Sequence, residues 1–229
     1  MNPYLASLYN QYYEHRNIDY ATAQKKYMKG KFDYFGLRSP QRKDISKAFL
    51  KEHGLPDDDR FEEIIKECWD QPQREFQYFA MDLLAKKAKK AEICRVDLYE
   101  YLILSKSWWD TVDYLAARMV GAHFQKFPGI TEDYTEKWMD SENMWLQRTA
   151  ILFQLGYKTN TDLDLLTNYI ERLLGSKEFF INKAIGWILR EYSKTDADWV
   201  IQYVQNNEDK LANLSKREAL KWLVNKGKR

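Results

Sequence analysis

The chain has 229 residues, of which 45% are hydrophobic and 31% are charged, and its formal net charge at pH 7 is +2. This composition excludes a disordered chain, and the length allows one large domain or a repeat array with a sizeable core. Nine glycines and five prolines are too few for the many tight turns of an all-β fold. Because neither a signal peptide nor an apolar run of roughly 20 residues is visible, we expect a cytoplasmic protein that does not bind membranes.

The cysteines and histidines give no sign of a metal site. Cys68 and Cys94 lack the CxxC or zinc-finger spacing and lie in helical patterns, so they are interpreted as reduced core thiols of a cytosolic protein. His15, His53 and His123 are scattered along the sequence. We therefore expect no metal cluster at these residues.

The first part of the chain has the pattern of two amphipathic helices, over residues 3–15 and 19–29. The second is basic, and Gly30 is expected to close it. A third helix is predicted to follow, because Ser39 is a good N-cap and Pro40 suits the first helical position. It should run to about His53.

The start of this third helix permits two interpretations. An exposed helix N-terminus with Arg38 and Ser39 beside it is able to hold a phosphate. An ordinary capped helix, stopped by Gly54, explains the same residues. The local pattern alone favours the ordinary helix.

From Asp57 onward, helical segments rich in small and apolar residues recur at intervals of 37, 33, 34 and 35 residues. They are centred near Ala80, Ala117, Ala150, Ala184 and Ala219. Shorter helical stretches lie between them, at residues 61–69, 96–104, 132–139, 163–174 and 197–204. A helix pair about every 35 residues is the signature of an α-solenoid. We predict an all-α single domain over residues 1–229, with an N-terminal helical cap at 1–55 and about five HEAT-like pairs at 56–229.

One helix of each pair lines the concave face of a solenoid, and the alanine-centred helices are the expected liners. Trp109, Arg148 and Trp187 follow one another at intervals of 39 residues, which is one repeat plus about one helical turn. They are therefore predicted to form an oblique track across three neighbouring helices. Coincidence is the alternative, since residues on successive helices often show similar spacing.

The central stretch Lys106–Asp113 places two adjacent tryptophans beside two carboxylates. Trp109 and Asp113 are four residues apart and would share a helical face. One interpretation is purely structural: Asp113 forms an ion pair with Arg148, and the indoles are buried in the core. If the strip is exposed, it fits a cationic target on an anionic polymer, because a carboxylate stabilises positive charge growing at a sugar C1′ and arginine clamps a phosphate.

The sequence Trp108-Trp-Asp-Thr-Val-Asp113, followed by Arg148 and Trp187, closely resembles the AlkD-type DNA glycosylases of the DNA alkylation repair family. The resemblance spans the whole chain. It implies HEAT-like repeats and excision of cationic N3- and N7-alkylated purines, such as 7-methylguanine and 3-methyladenine. It further implies a reaction without metal, cofactor or lyase activity, with the lesion left in the base stack rather than flipped.

The resemblance also assigns roles to individual residues. It implies that Asp113 is the catalytic carboxylate, that Trp109 and Trp187 contact the deoxyribose and backbone of the lesion, and that Arg148 binds phosphate there. Further DNA contacts are implied for Tyr27, Arg38 and Ser39 on the opposite strand and for Arg190, and charge alone suggests Lys158 and Lys177. Arg38 departs from the family, which commonly has uncharged side chains at this position.

Two classes of function remain open at this stage. The first is a monomeric enzyme acting on double-stranded DNA that contains alkylated bases, in the bacterial cytosol. The second is a non-catalytic HEAT-repeat scaffold that grips DNA or a protein. Family members lacking the carboxylate exist, so the presence of Asp113 favours the enzyme.

Overall fold

The computed structural model describes residues 2–227, and over this range the fold is all-α. Its β structure is confined to one isolated bridge between Asp33 and Gln73. The helices group into two compact units, Met1–Lys90 and Ala91–Arg229. The predicted all-α class and recurring helix pairs are confirmed.

The first unit contains five α-helices: α1 (Pro3–Glu14), α2 (Ile18–Tyr27), α3 (Ser39–His53), α4 (Phe61–Asp70) and α5 (Arg74–Lys87). The second unit contains nine α-helical segments: α6 (Arg95–Leu104), α7 (Trp109–Tyr114), α8 (Gly121–Lys126), α9 (Thr131–Asp140), α10 (Met144–Leu152), α11 (Leu163–Arg172), α12 (Phe179–Tyr192), α13 (Ala197–Asn206) and α14 (Asn213–Asn225). From α4 onward they alternate as the predicted repeat requires. The α-solenoid of helical repeats is therefore the architecture of this chain.

Local sequence explains where many of these helices form. In α4, the buried residues Phe61, Ile64, Ile65, Cys68 and Trp69 recur every three to four positions, which gives the helix one apolar face. Helices α10, α11 and α13 of the second unit begin at a side-chain cap, supplied by Asn143, Asp162 and Asp196.

Two sequence predictions are corrected here. Ser39 is not the cap of α3: the helix begins at Ser39, the cap residue is Arg38, and no side-chain cap hydrogen bond forms. Cys94 is not a core thiol, since it is exposed at the start of α6, whereas Cys68 is buried as predicted. Gly54 ends α3 with a positive φ of 75°, a conformation that glycine adopts without strain.

The main core cluster of the second unit is formed mainly by residues of helices α10 to α14, and α12 contributes more of them than any other helix. Gly186 allows α12 and α14 to approach closely, because a Cβ at this position would lie 2.5 Å from Cβ of Glu218 and 2.8 Å from the carbonyl oxygen of Ser215. This contact brings a charged residue of α14 against the face of α12 that carries Trp187.

The helix that follows Trp108 is not uniform. Its α-helical start, α7, leads into a π-helical turn at Leu115–Val120 and then into α8. Such π-turns occur frequently at functional sites. Gly121 follows the turn, and a Cβ there would lie 2.3 Å from the carbonyl oxygen of Phe153, so the backbone of the neighbouring repeat packs directly against it.

The boundary between the two units, after Lys90, lies one helix pair later than the predicted end of the cap at residue 55. The single-domain organisation stays a prediction. No helix within residues 2–227 combines the length and apolarity that crossing a membrane requires.

Candidate active site

Asp113 and Arg148 form a direct ion pair. The sequence pattern assigns them to successive alanine-centred helices. Nε of Arg148 donates to Oδ1 of Asp113 at 2.7 Å, and Nη2 donates to Oδ2 at 2.9 Å. Both carboxylate oxygens are thus held by one planar guanidinium, which is the strongest and most directional form of this interaction. The Asp113 side chain retains 15% exposure.

The remaining guanidinium nitrogen of Arg148, Nη1, donates to the carbonyl oxygen of Phe180 in the first turn of α12. The Arg148 side chain is only 3% exposed. Arg148 thus holds both oxygens of Asp113 and orients the carboxylate. Its predicted contact with a DNA phosphate stays a prediction.

The electrostatics of Asp113 follow from this environment. Burial raises the pKa of its carboxyl above the usual value for aspartate, while the hydrogen bonds and positive charge of Arg148 act in the opposite direction. Asp110, one turn earlier on α7, adds a smaller increase through its negative charge. The ionised form of Asp113 therefore depends on Arg148.

The two predicted catalytic tryptophans are both half-buried. Trp109 is the first residue of α7 and lies four residues before Asp113, so the two share a helical face as predicted. Trp187 packs against the core of the second unit. It follows Phe180 by seven residues, or about two turns, on the same face of α12.

A second charged cluster surrounds Trp187. Glu218 of α14 is 5% exposed and accepts hydrogen bonds from Nζ of Lys183 and from Nη1 of Arg190, both at 2.8 Å. Although burial acts to raise its pKa, the hydrogen bond and charge of Lys183 and the charge of Arg190 leave the pKa of Glu218 lowered. Both cations remain partly exposed, and they lie one turn before and one turn after Trp187.

The predicted contacts of the N-terminal region lie in the first unit. Tyr27 is the last residue of α2 and is largely exposed. Arg38 and Ser39 are exposed at the start of α3, and the Arg38 guanidinium carbon lies 4.6 Å from the centre of the Tyr20 ring. Their contacts with DNA stay predictions.

Lys158 and Lys177 are both exposed in the second unit, Lys158 in a short 3₁₀ turn and Lys177 between α11 and α12. Sequence reasoning missed Lys183 and Glu218. Lys183 could have been found from its position four residues before Trp187. Glu218 lies in a basic stretch, and nothing in the local sequence singles it out. Within residues 2–227, no three or more His, Cys, Asp or Glu side chains are grouped so as to hold a metal ion.

Comparison with known proteins shows which family this fold and sequence belong to. A solved structure described as a predicted DNA alkylation repair enzyme from Enterococcus faecalis is 32% identical, with a TM-score of 0.83, over 91% of this chain and 96% of that one. None of the curated proteins matches the chain. The family described as DNA alkylation repair enzyme matches residues 9–223, and the chain therefore belongs to the DNA alkylation repair enzyme family.

Proposed function

We propose that this protein is a monofunctional DNA glycosylase that hydrolyses the N-glycosidic bond of cationic N3- and N7-alkylated purines. The observation that carries the proposal is the Asp113 carboxylate, which is fixed by both of its oxygens while its side chain keeps 15% exposure. A carboxylate held in this way is suited to a reaction in which positive charge develops.

The chemistry needs little beyond this group. Alkylation at N3 or N7 gives the purine a positive charge, so the base leaves as a neutral molecule when the bond between C1′ and nitrogen breaks. Positive charge then develops on the sugar, where ionised Asp113 would stabilise it and orient the attacking water. The water oxygen bonds to C1′, and its proton passes to Asp113 or to solvent.

The surrounding residues would bind the lesion and its backbone. Indole faces attract cations by roughly 0.5–2 kcal/mol, so Trp109 and Trp187 suit the charged sugar of the transition state. Lys183 and Arg190 lie one turn before and one turn after Trp187 and are partly exposed, so both are suited to contact phosphate. We propose that these groups bind the sugar–phosphate backbone of double-stranded DNA and that the reaction proceeds without base flipping, in a monomer that needs neither metal nor cofactor.

The decisive experiment compares Asp113→Asn with Asp110→Asn, a charge change of equal size three residues earlier on α7. Methylated duplex DNA is incubated with each protein in excess, and released 7-methylguanine and 3-methyladenine are separated by chromatography. We expect Asp113→Asn to lose release by on the order of 100- to 1,000-fold, as when one transition-state electrostatic contact is removed. Asp110→Asn should remain within severalfold of the unmodified protein.

The competing function is a non-catalytic scaffold for DNA or protein, and the buried ion pair of Asp113 with Arg148 is the observation in its favour. It predicts that the unmodified protein releases no base. Binding of methylated DNA without release at neutral pH would replace the glycosylase proposal with a DNA scaffold, and the absence of salt-dependent DNA affinity would leave a protein scaffold.

A further inference from the structure

Helix α2 carries Tyr27 but has no buried residue. Ile18 at its start is 74% exposed and Tyr27 at its end is 70% exposed. Only Ala21 and Gln24 along it are half-buried. Since packing of an apolar face is what normally fixes a helix in a protein, the orientation of α2 must have another source.

That source is the stretch of residues 33–38, here named the 33–38 segment. The carbonyl oxygen of Phe35 accepts the backbone N–H of Asn17, the cap of α2, at 2.8 Å. Nε2 of Gln24 donates to the carbonyl oxygen of Leu37 at 3.2 Å, and Lys25 pairs with Asp33 at 2.8 Å. Successive turns of α2 are therefore tied to this segment.

Gly36 lies at the centre of the contact. A Cβ on Gly36 would lie 2.0 Å from the carbonyl oxygen of Asn17 and 2.6 Å from the backbone nitrogen of Ala21. Its φ of +85° is also a conformation that other residues rarely adopt. The segment and the first turn of α2 thus meet backbone to backbone.

Glu75, near the start of α5, holds the same segment from its other side. Its carboxylate accepts the backbone N–H groups of Phe35, Gly36 and Leu37, at 3.2, 3.0 and 3.3 Å. Glu75 is 1% exposed. The backbone N–H of Arg74 also donates to the carbonyl oxygen of Asp33 at 2.9 Å, so the first turn of α5 fixes the segment over much of its length.

We infer that Glu75 is a positioning residue for DNA binding: through the 33–38 segment it sets the placement of α2, and with it Tyr27 and Arg38. This inference rests on the proposed function for the nature of the ligand, but the mechanical link from Glu75 to α2 does not depend on it. In Glu75→Gln an NH2 group replaces one of the two acceptor oxygens, so a donor faces these three buried N–H groups and only one oxygen remains to accept them, which destabilises the conformation of the segment.

The test compares Glu75→Gln with Gln77→Ala, a matched control on the same helix. Gln77 is also buried, and its Nε2 also makes three backbone hydrogen bonds, but to carbonyl oxygens at the end of α4 (Cys68, Trp69 and Gln71). Three quantities are measured for each: hydrogen exchange of the α2 amides, affinity for an unmodified DNA duplex by fluorescence anisotropy, and the single-turnover rate at saturating methylated DNA.

For Glu75→Gln we expect faster exchange in α2 and DNA affinity weaker by on the order of tenfold, with an unchanged saturating rate. Gln77→Ala should leave α2 exchange and DNA affinity near those of the unmodified protein. Unchanged exchange in α2, or equal losses in both variants, would overturn the inference. Faster α2 exchange without base release in any protein would instead reject the proposed function and keep the positioning role.

A second pair of variants, with milder substitutions, tests the inference in case the variants of buried residues do not fold. Gln24→Ala removes the bond from α2 to Leu37, and Thr22→Ala removes a bond from Thr22 to Ile18 that lies within α2 itself. Both changes are uncharged, so neither alters electrostatic attraction to DNA. We expect Gln24→Ala to weaken DNA binding severalfold more than Thr22→Ala, and equal affinities for the two would count against the inference.

Discussion

The two units of the molecule each hold a carboxylate out of bulk water, and they do so by different means. Asp113 is bound by the charged guanidinium of Arg148, and its side chain keeps 15% exposure. Glu75 is bound by neutral backbone N–H groups and is almost completely buried. Burial raises the pKa of both carboxyls.

Under the proposed function, the difference separates a reactive carboxylate from an organising one. A side-chain partner such as Arg148 can be removed by mutation while the backbone stays intact, and the Asp113 side chain beside it keeps part of its exposure. Backbone donors such as those around Glu75 tie the carboxylate to a loop conformation. Access and a charged partner indicate chemistry, whereas enclosure by amides indicates architecture.

The largest expected effect comes from removing the partner of Asp113. Arg148→Ala leaves a buried carboxylate without its counter-charge, which typically costs about 3–5 kcal/mol of unfolding free energy. Because the carboxylate also loses its orientation, base release should fall with it. Urea denaturation followed by tryptophan fluorescence measures the stability of the second unit, since seven of the eight tryptophans lie there.

The control for this change is the double variant Asp113→Asn/Arg148→Met, in which no charge is left unpaired. It should recover part of the stability lost in Arg148→Ala. Equal stability of Arg148→Ala and the unmodified protein would mean that Asp113 does not depend on this arginine in the way proposed.

The next effect distinguishes the two carboxylates by pH. Because burial raises the pKa of Asp113, acidification protonates it sooner than an exposed aspartate, and the neutral acid no longer stabilises a cationic sugar. We expect the single-turnover rate, measured between about pH 4 and pH 8, to fall on the acidic side. Arg148→Met removes an influence that lowers this pKa, so it should move the fall to higher pH.

Glu75→Gln provides the contrast in that experiment. If Glu75 only positions α2, the acid limb of the saturating rate should lie where it lies in the unmodified protein. A displaced acid limb in Glu75→Gln would show that this residue influences the reacting carboxylate, and the division between the two sites would fail.

The smallest effects concern single phosphate contacts, one in each unit. Arg190→Ala and Arg38→Ala should each weaken DNA binding and reduce the magnitude of the slope of log affinity against log salt by about one. Neither should change the rate at saturating DNA by more than severalfold. If the salt slope of Arg190→Ala or of Arg38→Ala equals that of the unmodified protein, the substituted residue does not belong to the DNA interface.

The sequence predicted the helices well, because their signals are local. The periodic apolar residues of α4 and the regular recurrence of alanine-centred segments required no knowledge of distant contacts. The pairing of Asp113 with Arg148 could also be predicted, because it follows from the repeat length once the alanine-centred helices are assigned. The predicted cap at Ser39 failed because neighbouring positions at a helix start are nearly equivalent in sequence.

What the sequence did not predict depends on backbone acceptors and donors far along the chain. Arg148 donates to the backbone carbonyl of Phe180. Because every residue has the same backbone carbonyl, the sequence carries no signal for this contact. The N–H groups around Glu75 lie 38 to 40 residues before it. The role of Glu218 depended on Gly186, whose missing side chain lets α14 approach.

The π-turn between α7 and α8 has a consequence for how this site can change during evolution. One additional residue advances a helix by about 100° around its axis, so a single insertion or deletion within Leu115–Val120 rotates Trp109 and Asp113 relative to Gly121. Gly121 is held against Phe153 by close backbone contact and cannot follow this rotation. The rotation of one helix about its axis thus decides which way the carboxylate faces. A length change in these six residues would redirect the carboxylate without altering any residue of the site.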